Sequence, residues 1–289
     1  MKSLTFTTAG FIITLQSDDG IDLAVENGYI PFVLPEFSGK SDLSIKVEDS
    51  IPKGMDLENE VLFKACNDTQ NFYSISQHED QYKFIVYDQN CDNRIQQVAL
   101  LNKDLSTWTI YTIPDEEGKA YPLRYPMGPL VLYYLTVKFD AIMMHASGIE
   151  EESGGRIFSG FSGVGKSTMA AIWQHSGCKV INDDRLIIRK ENEDYVVHNT
   201  PMFYPDIPKK TRLKAVHLIY HSPENTIRKI NGALAVSKVM AYCIQNSFNT
   251  KFIEHHLEFL SEMCNKIPVY NVGFKPDPSI VDYIKSYAD

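Results

Sequence analysis

The 289-residue chain contains no C-x-x-C pair, and its five cysteines (Cys66, Cys91, Cys178, Cys243 and Cys264) are odd in number and widely spaced. That excludes a disulfide framework or a cysteine zinc site, and it fits reduced thiols in a cytoplasmic chain. No apolar run reaches the ~18–20 residues that span a bilayer, so no membrane partner is expected. The opening MKSLTFTTAGFIITL is too polar, and too broken at Gly10, for a secretory signal. Basic residues are outnumbered 28 to 37, giving a net charge of −9 and a pI near 5.4. Without a basic patch the phosphate backbone of a nucleic acid has nothing to bind, so nucleic acid is excluded as a partner. No internal repeat is visible. What remains is a globular chain, 44% hydrophobic and 22% charged, long enough for one large or two modest domains with a real core.

What is present centres on residues 160–168, GFSGVGKST. Gly160, Gly165, Lys166 and Ser167 fit G-x-x-x-x-G-K-[ST], the Walker A phosphate-binding loop, or P-loop. Glycines let the backbone curl until its N–H groups converge into an anion nest. Gly160, Phe161, Ser162, Gly163, Val164, Gly165, Lys166, Ser167 and Thr168 are therefore the expected nucleotide-binding residues. Lys166 would reach the β- and γ-phosphates, and the Ser167 hydroxyl would hold Mg²⁺. The context suits the motif. Arg156–Ser159 reads as a strand, and KSTMAAIWQH (166–175) as a helix ended by Gly177, with the positive end of its dipole at the loop.

Along the rest of the chain, 4–15, 42–47, 81–87, 95–101 and 107–113 read as strands separated by Asp, Asn, Gly and Ser turns. They form an expected β-rich accessory domain over 1–118, closed by the polar PDEEGK (114–119). A second domain is expected over 119–289. It opens with a buried helix led by Pro129 at N1 and running through Leu135. Ala141–Ile149 reads as a strand that turns through 150–155 into Arg156–Ser159, so a hairpin would feed the glycine loop. Strands at 178–182, 185–189, 195–198 and 214–220 follow, then helices near 232–245 and 250–264, a strand at 269–272 and a last helix at 278–287.

Two further sites carry chemistry. Asp183 and Asp184 end an apolar strand 23 residues after Gly160. Beside a phosphate loop, one carboxylate can hold Mg²⁺ through water while the other takes a proton from an acceptor hydroxyl. His145 lies mid-strand across the hairpin, where it is either a structural hydrogen-bonding residue or a group near the transferring phosphate.

On these residues the chain resembles the HPr kinase/phosphorylase family and, more loosely, the phosphoenolpyruvate carboxykinases. The likeness rests on the His145–Gly160 interval, the loop SGFSGVGKST and the segment GCKVINDDRLII with its paired acids. A weaker likeness to small HPr-kinase-like proteins spreads over 120–289. The resemblance implies an α+β or α/β fold: a phosphoenolpyruvate carboxykinase-like mixed sheet with a P-loop, preceded by a smaller β-rich domain. It also implies that Asp183 is the base, that Asp184 sits by the metal, that His145 assists at the phosphate and that Arg212 senses phosphate. ATP or GTP with Mg²⁺ would be the cofactors, and a homo-oligomer the assembly. The glutamate-bearing L-E-[VI]-R-G segment of true HPr kinases has no counterpart in VHNTPMFYPDIPKKTR (197–212), so HPr itself is not implied as the acceptor. The expected function is a kinase of unassigned acceptor, a protein or peptide serine or a small molecule. The alternative is a non-catalytic, nucleotide-responsive binding module, and a decarboxylating carboxykinase ranks last.

Overall fold

A computed structural model describes residues 2–57, 60–67, 69–88, 94–246 and 248–288. Cys91 lies outside the described residues. Cys66, Cys178, Cys243 and Cys264 are all free thiols. The chain is a mixed α/β protein of large mixed sheets and few helices, and it divides into two units.

The first unit comprises Met1–Lys138 with Pro201–Ile207 and Asn246–Phe248. Its elements are β1 (Lys2–Thr8), β2 (Phe11–Ser17), β3 (Asp22–Leu23), β4 (Leu43–Glu48), β5 (Val61–Cys66), β6 (Asn71–His78), β7 (Gln81–Tyr87), β8 (Ile95–Asn102), β9 (Thr107–Thr112), β10 (Lys119–Ala120) and α1 (Met127–Lys138). Eight strands form one sheet in the order β1-β2-β4-β9-β8-β7-β6-β5. The stretch 4–15 is not one strand. Ala9 and Gly10 both adopt positive φ and fold it into the β1–β2 hairpin. Helix α1 starts two residues before Pro129, buries nearly every side chain, and belongs to this unit. The division therefore falls after Lys138 and not at 118. Phe84, Trp108 and Tyr134 pack as an aromatic cluster in its core.

The second unit comprises Phe139–Thr200, Pro208–Gln245 and Asn249–Asp289. It contains β11 (Ala141–Glu151), β12 (Gly154–Ser159), α2 (Lys166–His175), β13 (Lys179–Asn182), β14 (Arg185–Glu191), β15 (Asp194–Asn199), β16 (Lys210–His221), β17 (Thr226–Ile230), α3 (Gly232–Met240), α4 (Thr250–Lys266), β18 (Val269–Phe274) and α5 (Ser279–Ala288). Strands β11 and β16 are long enough to serve two neighbours in succession. Ala141–His145 of β11 pairs with β14, whereas Ala146–Glu151 pairs with β12. The start of β16 pairs with β15, and the remainder lies parallel to β12 and β18. Helix α3 stops at Met240, short of the expected 245, because the chain turns there to bridge Cys243 to Met144.

Alternation along β11 sorts its two faces. Ile142, Met144 and Ala146 enter the core shared with α3 and α4. Ile149 joins the opposite core with α2 and α5. On that second face a fully buried Arg156 donates from Nε to Glu151 at 2.6 Å and stacks over Trp173 of α2 at 5.6 Å. The pair fixes the helix that follows the glycine loop. Removing one member of a buried ion pair takes from the other the charge that offsets its desolvation. Glu151→Ala is therefore expected to lower unfolding free energy by about 3–5 kcal/mol in urea titration.

Candidate functional site

The β11–β12 hairpin places the glycine loop. Ala146 lies opposite Ser159, the last residue of β12, so His145 is level with the first residue of the loop. The Ser159 hydroxyl donates to the His145 carbonyl at 2.8 Å and ties the two strand ends together. Gly160 leaves no room for a side chain, since a Cβ there would meet the Ile219 carbonyl oxygen at 2.7 Å. Gly163 and Gly165 both take positive φ, at 76° and 96°, a region open to glycine at no steric cost. Val164 turns inward to the α2 core and anchors the loop, while Phe161 points outward.

Gly165 is the N-cap of α2 and supplies no side-chain cap. The first turn thus presents its amide ends, with the positive end of the dipole, toward the loop interior. Lys166 is 7% exposed, and its ammonium donates to the Gly160 carbonyl at 3.2 Å and the Phe161 carbonyl at 3.1 Å. An ammonium has three N–H donors, so one remains for a ligand while two hold the cation in place. Burial lowers the Lys166 pKa, and the carboxylates of Asp184 and Asp183 oppose that shift. Acids and cation therefore act on one another within one site. Ser167 and Thr168 stand exposed at the mouth of the loop.

The acids occupy a jog in the sheet. Strand β13 ends at Asn182 opposite Gly148, and β14 begins at Arg185 opposite His145. Asp183 and Asp184 fill the gap beside Ala146 and Ser147, and the Ala146 amide donates to the Asp184 carbonyl at 3.0 Å. The buried Asn182 side chain clamps the jog: its amide donates to the Arg185 carbonyl at 2.7 Å, and its oxygen accepts from the Asp183 N–H at 2.7 Å. The chain turns at this point, so the two carboxylates are not forced to opposite faces.

Each carboxylate has its own partners. The Ser147 hydroxyl donates to Oδ1 of Asp183. Asp184 receives His145 Nδ1 at 3.2 Å on one oxygen and the Arg185 guanidinium at 2.8 Å on the other. Burial would raise the Asp184 pKa. The hydrogen bond from His145 and the charges of Arg185, His145 and Lys166 outweigh it and hold the group below its ordinary value of 3.8.

Ser147, Asn182 and Arg185 went unnoticed in the sequence. Ser147 was accessible in principle, because it lies two residues from His145 and shares its strand face. Arg212 does not stand with these residues. It sits at the far end of β16, where its neighbour Leu213 is opposite Gly155 and Leu218 is opposite Ser159. Six residues at about 3.3 Å each put it roughly 20 Å from the loop. Its side chain is 74% exposed and pairs with Asp194 at 3.2 Å.

The Ser167 hydroxyl and the Asp183 and Asp184 carboxylates are hard oxygen donors of the kind Mg²⁺ takes. Among the described residues, no three His, Cys, Asp or Glu side chains form a ready-made cage. The donor set therefore fits an Mg²⁺ held mainly by phosphate oxygens and water, with one or two side chains completing the shell. Among the described residues, no helix is long and apolar enough to cross a membrane.

No family model matches this chain, and no curated protein matches it. Among solved structures, the HPr(Ser) kinase/phosphatase from Coxiella burnetii is similar over 50% of this chain and 94% of that one, with 9% identity and a TM-score of 0.32. At that distance, function has to be argued from the site.

The lowered Asp184 pKa carries a testable sign. Its stabilising contribution is present above 3.8 and is lost as pH falls through the lower folded value. Asp184→Asn is expected to lose about 1.5–3 kcal/mol relative to the parent at neutral pH. In urea unfolding at a series of pH values, that gap should close below 3.8.

Proposed function

We propose that the second unit is a P-loop phosphotransferase of the HPr-kinase-like, phosphoenolpyruvate carboxykinase-like type. It would use the Mg²⁺ salt of ATP or GTP to phosphorylate a hydroxyl on a protein, peptide or small molecule. One observation carries this reading. A seated ammonium and an uncapped helix N-terminus at the end of β12 lie across β11 from two carboxylates at the end of β13.

Each residue has a derivable task. The loop amides and Lys166 bind and orient the β- and γ-phosphates and neutralise charge that builds during transfer. Ser147 fixes one oxygen of Asp183, leaving the other to accept the proton of the attacking hydroxyl. The hydroxyl oxygen bonds to the γ-phosphorus, the bond from that phosphorus to the β–γ bridging oxygen breaks, and the nucleoside diphosphate departs with the bond's electrons. His145 and Arg185 hold Asp184 ionised beside this path. Ser167 and Asp184 are the residues that would hold Mg²⁺, whose role is to screen the phosphate oxygens.

One observation favours a second reading, a nucleotide-responsive binding module. Both oxygens of Asp184 already face His145 and the Arg185 guanidinium, so a metal there would compete with a fixed positive charge. Two variants separate the readings. Lys166→Ala should abolish detectable binding of ATP and GTP. Asp183→Asn should keep nucleotide affinity but slow transfer of label from γ-labelled ATP by roughly 10²–10⁴-fold, the contribution of a positioned base. Transfer at the parent rate by Asp183→Asn would rule out the proposed base. Tight nucleotide binding by the parent protein, with no transfer to any component of a cell lysate, would establish the binding module.

A further inference from the structure

The two acids of the jog stand side by side, yet each is already matched by a donor or a charge of the chain itself. Arg185 begins β14 directly opposite His145, and residues so paired point to one face of the sheet. Its backbone is fixed, since the Arg185 carbonyl accepts from the Asn182 amide at 2.7 Å and from the Thr200 hydroxyl at 3.1 Å. From that fixed point Nη1 donates to Oδ2 of Asp184 at 2.8 Å, and the two side chains are only 24% and 28% exposed. We propose that Arg185 sets the metal specificity of the site. It bars the acid pair to a free divalent cation, so that the metal enters only as the salt of a polyphosphate. This assignment rests on the phosphotransferase reading above.

Charge is the first reason. Asp183 and Asp184 supply two negative charges, and Lys166 and Arg185 supply two positive ones that act on them. The cluster is therefore balanced by its own residues. A bare divalent ion would add two positive charges beside a guanidinium that solvent screens only in part, where like-charge repulsion is several times its value in water. A polyphosphate brings negative charge with the metal, and its oxygens are further acceptors for the same two cations.

Ligand count is the second. Mg²⁺ and Mn²⁺ take an octahedral shell of oxygens. Oδ2 of Asp184 faces the guanidinium, Oδ1 of Asp184 faces His145 Nδ1 at 3.2 Å, and Oδ1 of Asp183 accepts from Ser147. Three of the four carboxylate oxygens are thus in use. Among the described residues, no three His, Cys, Asp or Glu side chains gather to complete a shell. Phosphate oxygens supply the missing ligands, whereas a free ion has only water to do so. A guanidinium does not deprotonate in proteins, so the barrier is permanent and follows the charge at position 185.

The test is titration of Mn²⁺ into the full chain, with the free ion read from its paramagnetic resonance signal, first alone and then with a non-hydrolysable ATP or GTP analogue. The parent should hold Mn²⁺ at least about tenfold more weakly alone than with the analogue, and Arg185→Gln should tighten binding of Mn²⁺ alone at least about tenfold, the scale on which neighbours of a metal site act. Arg185→Lys, which keeps the charge, should stay weak. Adding Asp184→Asn to Arg185→Gln should remove the gain, which places the ion at that carboxylate. A parent that binds Mn²⁺ as tightly alone as with bound analogue overturns the proposal, whatever the variants do. So does a folded Arg185→Gln with the parent's affinity for Mn²⁺ alone. If the parent binds neither analogue, the phosphotransferase reading falls and takes the polyphosphate route with it, while the nucleotide-free comparison still decides whether Arg185 bars the ion.

Discussion

The antiparallel register of β11 against β12 pairs Ala146 with Ser159, and the site follows from that pairing. It brings His145 level with the start of the glycine loop and leaves Ser147 one step behind on the same strand face. Because β11 changes partner along its other edge, from β14 to β13, the chain between those two neighbours has to jog. The jog is where Asp183 and Asp184 sit. A slip of one residue would turn His145 and Ser147 into the opposite core. The cores on either side resist this, since Met144 and Ala146 already fill one and Ile149 the other.

Charge is managed locally around this register. Lys166 is shielded from water but shares two of its N–H bonds with loop carbonyls and feels both acids. Asp184 is half-buried yet stays ionised because an imidazole and a guanidinium face its two oxygens. One sheet layer away, Arg156 and Glu151 neutralise each other beneath Trp173 and hold α2 against the strands. Each charge taken from solvent has a named partner, which is what a low-dielectric site needs to keep a fixed geometry.

The parts legible in the sequence are those written within a few neighbouring residues. The glycine loop, its strand and its helix announced themselves by residue type. The paired acids did so by standing at the end of an apolar run, and the hairpin by its turn. What stayed hidden depends on which strands become neighbours. Arg212 reads as a residue just before a strand, and only the parallel register of β16 with β12 shows that it lies at the end away from the loop. Strands β5 and β17 carry mostly exposed or half-exposed side chains and so lack a clear apolar alternation. The stretch 4–15 reads as one strand although Gly10 marks the break; Ala9 beside it also adopts positive φ, which its residue type does not advertise.

Phe161 of the loop also borders a groove of about 390 Å³ whose other walls come from a different part of the chain. Loop, acids, His145 and Ser147 all fall between residues 145 and 184, a single block of hairpin, helix and jog, whereas the groove walls beyond Phe161 are drawn from 218 to 271. Substitution in the later segment can therefore reshape the groove walls without changing a residue of the earlier block. The outline of the groove and the charged cluster are thus encoded in separate stretches of this polypeptide.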